Sequence, residues 1–117
     1  MSSKFPFSCR LHNSHQFDLL FRSSRSATKW FTLYYSVNTS NVPRLGIVVS
    51  KKLIRSAVIR NKIKRIAREC FRNSATNLAA IDFVIRLNKT IKNKADSDDF
   101  SLALFDKLEA FKQIRND

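Results

Sequence analysis

The stretch from Lys51 to Arg72 constrains this chain more than any other part of the sequence. Its 22 residues hold nine Lys and Arg against a single acid, Glu69, which gives a net charge of +8. The whole chain of 117 residues has a net charge of +13, whereas residues 81–117 hold seven cations and seven acids. An exposed helix usually intersperses the two signs. This density of one sign therefore predicts a surface that binds a polyanion, with nucleic acid as the first candidate and an anionic membrane as the second.

The same stretch shows helical periodicity with two faces. Ser56 is a candidate N-cap for a helix that we expect to run to about Asn73. At 100° per residue, one arc of ~60° holds Ile59, Ile63, Ile66 and Cys70, and the opposite arc of ~100° holds Asn61, Lys64, Arg65, Arg68 and Arg72. We expect the apolar arc to pack on a sheet, with Cys70 as a core thiol. A helix lying on a membrane is less well supported, because the apolar arc lacks Trp and Leu anchors.

The remaining elements follow from alternation and capping residues. A helix is predicted from Ser14 to about Arg22, and residues 23–29 are predicted to form a polar loop. Strands are predicted at Trp30–Val37, Arg44–Ser50 and Ile81–Leu87. Ser97 is the candidate N-cap of a last helix that reaches about Arg115, with Asp98 and Asp99 near its positive end. The order α-β-β-α-β-α predicts an α+β two-layer sandwich with a small central sheet, formed by one domain over residues 1–117.

Two smaller features bear on function. The first helix carries Phe17, Leu20 and Phe21 at helical spacing, which predicts one aromatic side. The only glycine of the chain, Gly46, lies inside a predicted strand. A glycine there indicates either a close approach by backbone or ligand, or a bulge or tight packing within the fold.

Composition excludes several classes of protein. The chain has no apolar run of about 18 residues, so no membrane-spanning helix is expected, and the first ten residues do not resemble a signal peptide. Its two cysteines, Cys9 and Cys70, are too few for a disulfide framework or a four-ligand zinc site. We therefore expect a cytoplasmic protein with reduced thiols.

Two rival functions follow from the residues alone. His12 and His15 are close enough in sequence to act as acid and base in a ribonuclease that needs no partner, although paired surface histidines are common. Alternatively, Asn61 and its cationic neighbours belong to a generic basic RNA-binding protein of the ribosomal type, or enter a DNA major groove.

Two motifs carry a specific resemblance. Residues 44–52, RLGIVVSKK, and residues 57–69, AVIRNKIKRIARE, resemble the signature strand and the RNR-type helix of the protein component of bacterial ribonuclease P. The chain departs from the family pattern at two positions. Lys62 replaces the second arginine of the RNR motif and loses its bidentate fork. Arg55 stands where many members have glycine.

The resemblance implies both a fold and a function. The fold is a small α/β domain with a left-handed β-α-β crossover, of the type seen in the second domain of ribosomal protein S5. The function is endonucleolytic removal of the 5′ leader from precursor tRNA by a ribonucleoprotein hydrolase. The resemblance places the chemistry on the RNA subunit, with Mg²⁺ held mainly by RNA, so that no protein side chain is catalytic and none binds metal. The implied partners are the catalytic RNA and precursor tRNA, without a membrane or an obligate protein partner.

The resemblance also assigns residues to each partner. The residues expected to bind the RNA subunit are Arg60, Asn61, Lys62, Lys64, Arg65 and Arg68. Those expected to bind the leader, in a cleft between the first helix and the sheet, are Phe17, Phe21, Tyr34, Lys51 and Lys52. Aromatic rings stack on bases of any sequence, which suits a leader whose sequence varies.

Overall fold

A four-stranded sheet forms the centre of the fold in the computed structural model, which describes residues 10–11, 14–74 and 78–112. The helices and strands are α1 (Ser14–Phe21), β1 (Ser24–Ala27), β2 (Phe31–Val37), β3 (Arg44–Val48), α2 (Ala57–Ser74), β4 (Ile81–Leu87) and α3 (Lys94–Glu109). The predicted α+β class is confirmed, and so are all six predicted elements.

The predicted element order is wrong at one place, because residues 23–29 contain the short strand β1. The strands lie in the order β1-β2-β4-β3. β1 pairs antiparallel with β2, and β2 pairs antiparallel with β4. β3 pairs in parallel with β4, so α2 is the crossover helix between neighbouring strands. The sequence of β1, Ser-Arg-Ser-Ala, has no apolar alternation. Its strand conformation comes from pairing with β2, and its short polar character suits an edge.

The sheet buries both faces against helices. The face toward α2 and α3 contributes Phe31, Leu33, Leu45, Phe83 and Ile85 to the main core. The other face carries Tyr34 and Val84, which form a smaller cluster with Leu11 and Leu20 beside α1. Because strand residues alternate between faces, the single strand β4 supplies both cores.

The buried stripe of α2 differs from the predicted one. The fully buried apolar residues are Ile63, Ala67 and Phe71, spaced four apart, and the Phe71 ring lies 5.9 Å from that of Phe83. Ile66 and Cys70 are only partly buried, and Ile59 is 44% exposed. The helix therefore faces the sheet through an arc turned by about 60° from the predicted arc. The small side chain of Ala67 permits this close approach to the strands.

The predicted cap of α3 is also wrong. The N-cap is Asn93, whose side chain accepts a hydrogen bond from the N–H of Asp96 at 2.9 Å. Asp96 in turn accepts from the backbone N–H of Lys92 at 2.9 Å. These two hydrogen bonds satisfy two N–H groups before Ser97 is reached, and the N-cap lies four residues earlier than predicted. The buried residues of the helix are Phe100, Leu104 and Leu108, spaced four apart.

The last helix ends earlier than the predicted Arg115. It stops at Glu109, and residues 113–117 lie outside the described part of the chain. Phe111 has left the helix and packs its ring 4.7 Å from Tyr35 and 5.2 Å from Phe83. Its backbone carbonyl accepts a hydrogen bond from the N–H of Ala79. Phe111 therefore packs in the core at a position where the predicted helix would have continued.

Gly46 lies where α1 packs on the sheet. A Cβ atom at this position would lie 2.5 Å from Cε1 and 2.7 Å from Cζ of Phe17, and 3.3 Å from Cβ of Leu11. Of the alternatives that the sequence leaves open for Gly46, the structure therefore favours tight packing within the fold, against the Phe17 ring.

Replacing the observed cap weakens the protein. We expect Asn93→Ala to lower the free energy of unfolding by about 1 kcal/mol, because the N–H of Asp96 loses its acceptor. Urea unfolding measures the change. The matched control is Ser97→Ala, which removes the sequence-predicted cap and is expected to change stability by less than about 0.5 kcal/mol. A larger loss from Ser97→Ala than from Asn93→Ala would contradict the observed helix start.

Adding a methyl group at Gly46 forces α1 away from the sheet. We expect Gly46→Ala to destabilise the protein by about 1–3 kcal/mol, since the methyl overlaps the Phe17 ring. The same substitution should cost less in a Phe17→Leu background, where the ring is absent. A double-mutant cycle by urea unfolding measures the coupling. Equal costs in the two backgrounds would show that Phe17 does not need the glycine.

Candidate nucleic-acid interface

The outward side of α2 presents three cations that form no ion pair with any acid in the described part of the chain. We call Asn61, Lys64, Arg65 and Arg68 the α2 cationic face. Asn61 and Arg65 are exposed, while Lys64 and Arg68 are partly exposed. Among the described residues, Arg72 pairs with Glu69, and the other ion pairs lie outside α2. None of these ion pairs involves Lys64, Arg65 or Arg68. These three side chains are therefore available to phosphates.

Arg60 and Lys62 flank this face instead of lying on it. The Nη1 atom of Arg60 donates to the carbonyl oxygens of Ile54 at 2.9 Å and Arg55 at 2.8 Å, so part of its guanidinium holds the segment before α2 in place. Lys62 is exposed and borders a groove with Ile59 and with Lys94 at the start of α3. Each of the two therefore extends the positive surface to one side.

A hollow of about 230 Å³ lies beside Phe17 at the outer edge of β3. Its lining joins the two sides of the sheet, since it includes Phe17 from α1, Gly46 from β3, Arg68 from α2, and Arg10. Among the residues that the structure describes, none of those lining it is acidic. Burial, and secondarily the charge of Arg10, lower the pKa of Arg68. Of these two causes, only the like charge of Arg10 favours an anion in the hollow, since burial by itself disfavours the charged form of Arg68.

The predicted aromatic group is brought together on the α1 face of the sheet. The rings of Phe21 and Tyr34 meet edge to face with centroids 5.0 Å apart. Tyr34 is 6% exposed, so it mainly supports Phe21 from below. Phe17 and Phe21 are partly exposed, and the guanidinium of Arg86 lies 5.8 Å from the Phe21 ring centroid.

Lys51 and Lys52 lie in the turn that follows β3, and both are exposed. The side chain of Ser50 accepts a hydrogen bond from the N–H of Lys52, and its carbonyl accepts from the N–H of Ile54. The turn is thus fixed while the two ammonium groups stay in solvent. Arg55, which replaces the glycine common in the resembled family, is not among the residues with positive φ. Its backbone therefore has no need of glycine.

The side chains of the rival ribonuclease are outside what the structure describes. His12 and Cys9 fall outside the described residues, and so does the side chain of His15. Cys70 is partly buried, with its Sγ 3.2 Å from Oγ of Ser101, and burial raises the pKa of the thiol. A raised pKa disfavours the nucleophilic thiolate. Within the described residues, no three His, Cys, Asp or Glu side chains cluster as metal ligands.

Sequence reasoning did not single out Arg10 or Arg86. Alternation in β4 indicates that Arg86 shares a face with Val84, but only the packing of α1 shows that this face is aromatic. Arg10 is brought to the hollow by pairing of its short segment with Leu45, which no sequence pattern announces.

Comparisons with known proteins point to one family. The family model described as Ribonuclease P matches residues 5–112. A ribonuclease P protein component from Aliivibrio fischeri is 38% identical over 109 residues, which cover 92% of each chain. One from Azoarcus is 42% identical over 83 residues, covering 70% of this chain and 69% of the relative.

Solved structures are similar as well. The Staphylococcus aureus RNase P protein superposes with a TM-score of 0.67 at 30% identity, covering 88% of this chain and 91% of that one. The Thermotoga maritima RNase P protein gives a TM-score of 0.65 at 30% identity, covering 92% and 98%. In the described part of the chain, no helix has the length and apolar character needed to cross a membrane. With its strand and helix motifs, its fold and these relatives in agreement, the chain belongs to the bacterial ribonuclease P protein family.

Proposed function

We propose that this chain, the protein subunit of ribonuclease P in tRNA 5′ processing, uses two separate surfaces for two RNAs. The α2 cationic face, with Arg60 and Lys62 at its sides, binds the catalytic RNA subunit. The α1 face, with Phe17, Phe21 and Tyr34, binds the 5′ leader of precursor tRNA, and Lys51 and Lys52 hold leader phosphates at its end.

The observation that supports this most strongly is the position of the two surfaces relative to the sheet. α2 packs on one face of the sheet and α1 on the other. The surfaces approach each other around the β3 edge, where Phe17 and Arg68 line the same hollow. Two polynucleotides bound in this way lie side by side, and the cations between them reduce the repulsion of their phosphates.

The mechanism we propose is differential binding, without protein chemistry. A subunit that holds the leader as well as the catalytic RNA favours precursor over mature tRNA, which has no leader. Bond cleavage belongs to the RNA subunit, and the Mg²⁺ that supports it is held mainly by RNA. The described protein residues offer no cluster of metal ligands, so we assign no step to a metal on the protein.

The salt dependence of binding to the RNA subunit tests the proposed role of the α2 cationic face. If about six phosphates are neutralised, affinity for the RNA subunit falls by about 10³ between 50 and 200 mM monovalent salt. The triple variant Lys64→Ala, Arg65→Ala, Arg68→Ala should reduce the slope of log K against log salt by about 2.7. Each phosphate contact releases about 0.9 counterion when it forms, and the variant loses three such contacts. Filter binding or fluorescence anisotropy over a salt series measures both slopes.

The matched control removes the same charge from another part of the surface. Lys94→Ala, Lys107→Ala and Lys112→Ala together also take away three cations, all from α3 or just after it. This variant is expected to keep the slope of the unchanged protein. Equal slopes for the two triple variants would mean that net charge alone, and not the α2 cationic face, governs binding.

Reconstitution tests the function as a whole. With a bacterial catalytic RNA at low Mg²⁺, the protein should stimulate leader removal from precursor tRNA, because its cations replace part of the divalent-ion requirement. Gel analysis of 5′-labelled precursor follows the released leader. The protein without the RNA subunit should release none. Cleavage by the protein alone would instead favour the ribonuclease built on His12 and His15.

A further inference from the structure

α1 covers only part of its face of the sheet. Cross-strand pairing places Tyr34, Val84 and Gly46 in one row, and Thr32, Arg86 and Val48 in the next. The first row lies beneath α1, with Phe17 over Gly46 and the Phe21 edge against Tyr34. In the second row Arg86 is exposed, and Thr32 and Val48 are partly exposed. This open row begins where α1 ends, at Phe21.

Arg86 is held in place without an acidic partner. Its guanidinium carbon lies 5.8 Å from the centroid of the Phe21 ring, within the range of a cation–π contact. The acid on the same side of β4, Asp82, is four residues away, or about 13 Å along the strand. Asp82 is already occupied by two hydrogen bonds of 2.7 Å from Arg44. No ion pair among the described residues includes Arg86. Its guanidinium donors therefore face solvent.

Arg86 fills the gap between the two halves of the proposed leader surface. The aromatic residues lie on one side of it. On the other side, its pairing partner Val48 is followed three residues later by Lys51. A guanidinium that rests on a ring keeps its in-plane donors free for a bidentate contact with phosphate. We propose that Arg86 binds a backbone phosphate of the leader, between the nucleotides that contact Phe21 and those that reach Lys51 and Lys52.

This inference rests on the proposed function and makes its leader site more specific. Arg86 belongs to the leader surface and not to the RNA-subunit surface, because Val84 and Arg86 share one face of β4, whereas Phe83 and Ile85 point to the face that α2 covers. Arg86 thus acts as a binding residue for the substrate, and its loss affects precursor tRNA only.

The experiment compares Arg86→Ala, Arg86→Lys and the control Lys94→Ala in the holoenzyme reconstituted with catalytic RNA. Affinity is measured for precursor tRNA with a leader of several nucleotides and for mature tRNA, over a series of salt concentrations. We expect Arg86→Ala to weaken precursor binding about fivefold, as for one charged hydrogen-bonding group at a partly hydrated site. Its salt slope should fall by about 0.7, the value for one phosphate of a single strand. Mature tRNA should bind unchanged.

Two variants separate charge from shape. Arg86→Lys keeps the charge, so it should retain the salt slope and lose only part of the affinity. Lys94→Ala also removes one cation, but on α3, and should leave precursor binding unchanged. The midpoint of urea unfolding confirms that each variant is folded. Arg86 is an exposed strand residue, so its replacement by Ala or by Lys is expected to change stability little.

The results that would overturn the inference differ from those that would overturn the function. If Arg86→Ala binds precursor as the unchanged protein does, or weakens mature tRNA equally, Arg86 does not contact the leader. If it alters the preference for leader sequence while the salt slope stays the same, the contact is with a base and not with a phosphate. If the unchanged holoenzyme itself does not prefer precursor, the proposed function fails, whatever Arg86 does.

Discussion

The structure depends on the alternation of one strand. β4 lies between β2 and β3, and its residues point by turns to the two faces of the sheet. Phe83 and Ile85, each almost completely buried, bind α2 and α3 to one face. Val84, equally buried, belongs to the cluster beneath α1 on the other. A shift of register by one residue would exchange these faces and leave both helices without a core. The separation of the two proposed RNA surfaces follows from the same alternation.

The charge of the chain is distributed in a way that this separation explains. Acids are concentrated in α3 and its surroundings, where Lys94 pairs with Asp98 and the indole of Trp30 donates to Asp99 at 2.9 Å. That part of the surface is electrically balanced. The α2 cationic face carries no such compensation, so the free protein keeps a repulsion that a bound polyanion relieves. This repulsion is the electrostatic counterpart of the RNA affinity that we propose for this face.

Elements with strong apolar periodicity could be predicted from the sequence, and those that depend on partners could not. The alternation of residues 81–87 predicts β4 with the observed limits. β1 has no such alternation, since its conformation is imposed by hydrogen bonds to β2. The start of α3 depends on a competition between two good caps. Asn93 prevails because its side chain accepts from the N–H of Asp96, while the Asp96 carboxylate accepts from the N–H of Lys92. The buried arc of α2 centres on Ala67, whose small side chain is a weak apolar signal in a sequence but permits the closest packing.

The residue types of the candidate site could be predicted from the sequence, whereas their geometry could be seen only in the folded structure. Helical spacing alone assigns Lys64, Arg65 and Arg68 to one face, and none of them forms an ion pair with an acid that the structure describes. Resemblance to the family gave Lys62 the same role as its neighbours, yet the structure places it beside the groove toward α3. The loss of a bidentate fork at this position therefore affects the margin of the positive surface more than its centre. Arg86 illustrates the opposite case. A charged residue in an alternating strand is ordinarily a solvated position, and it acquires a candidate role only because α1 ends beside it, with Phe21 under its guanidinium and the turn of Lys51 beyond.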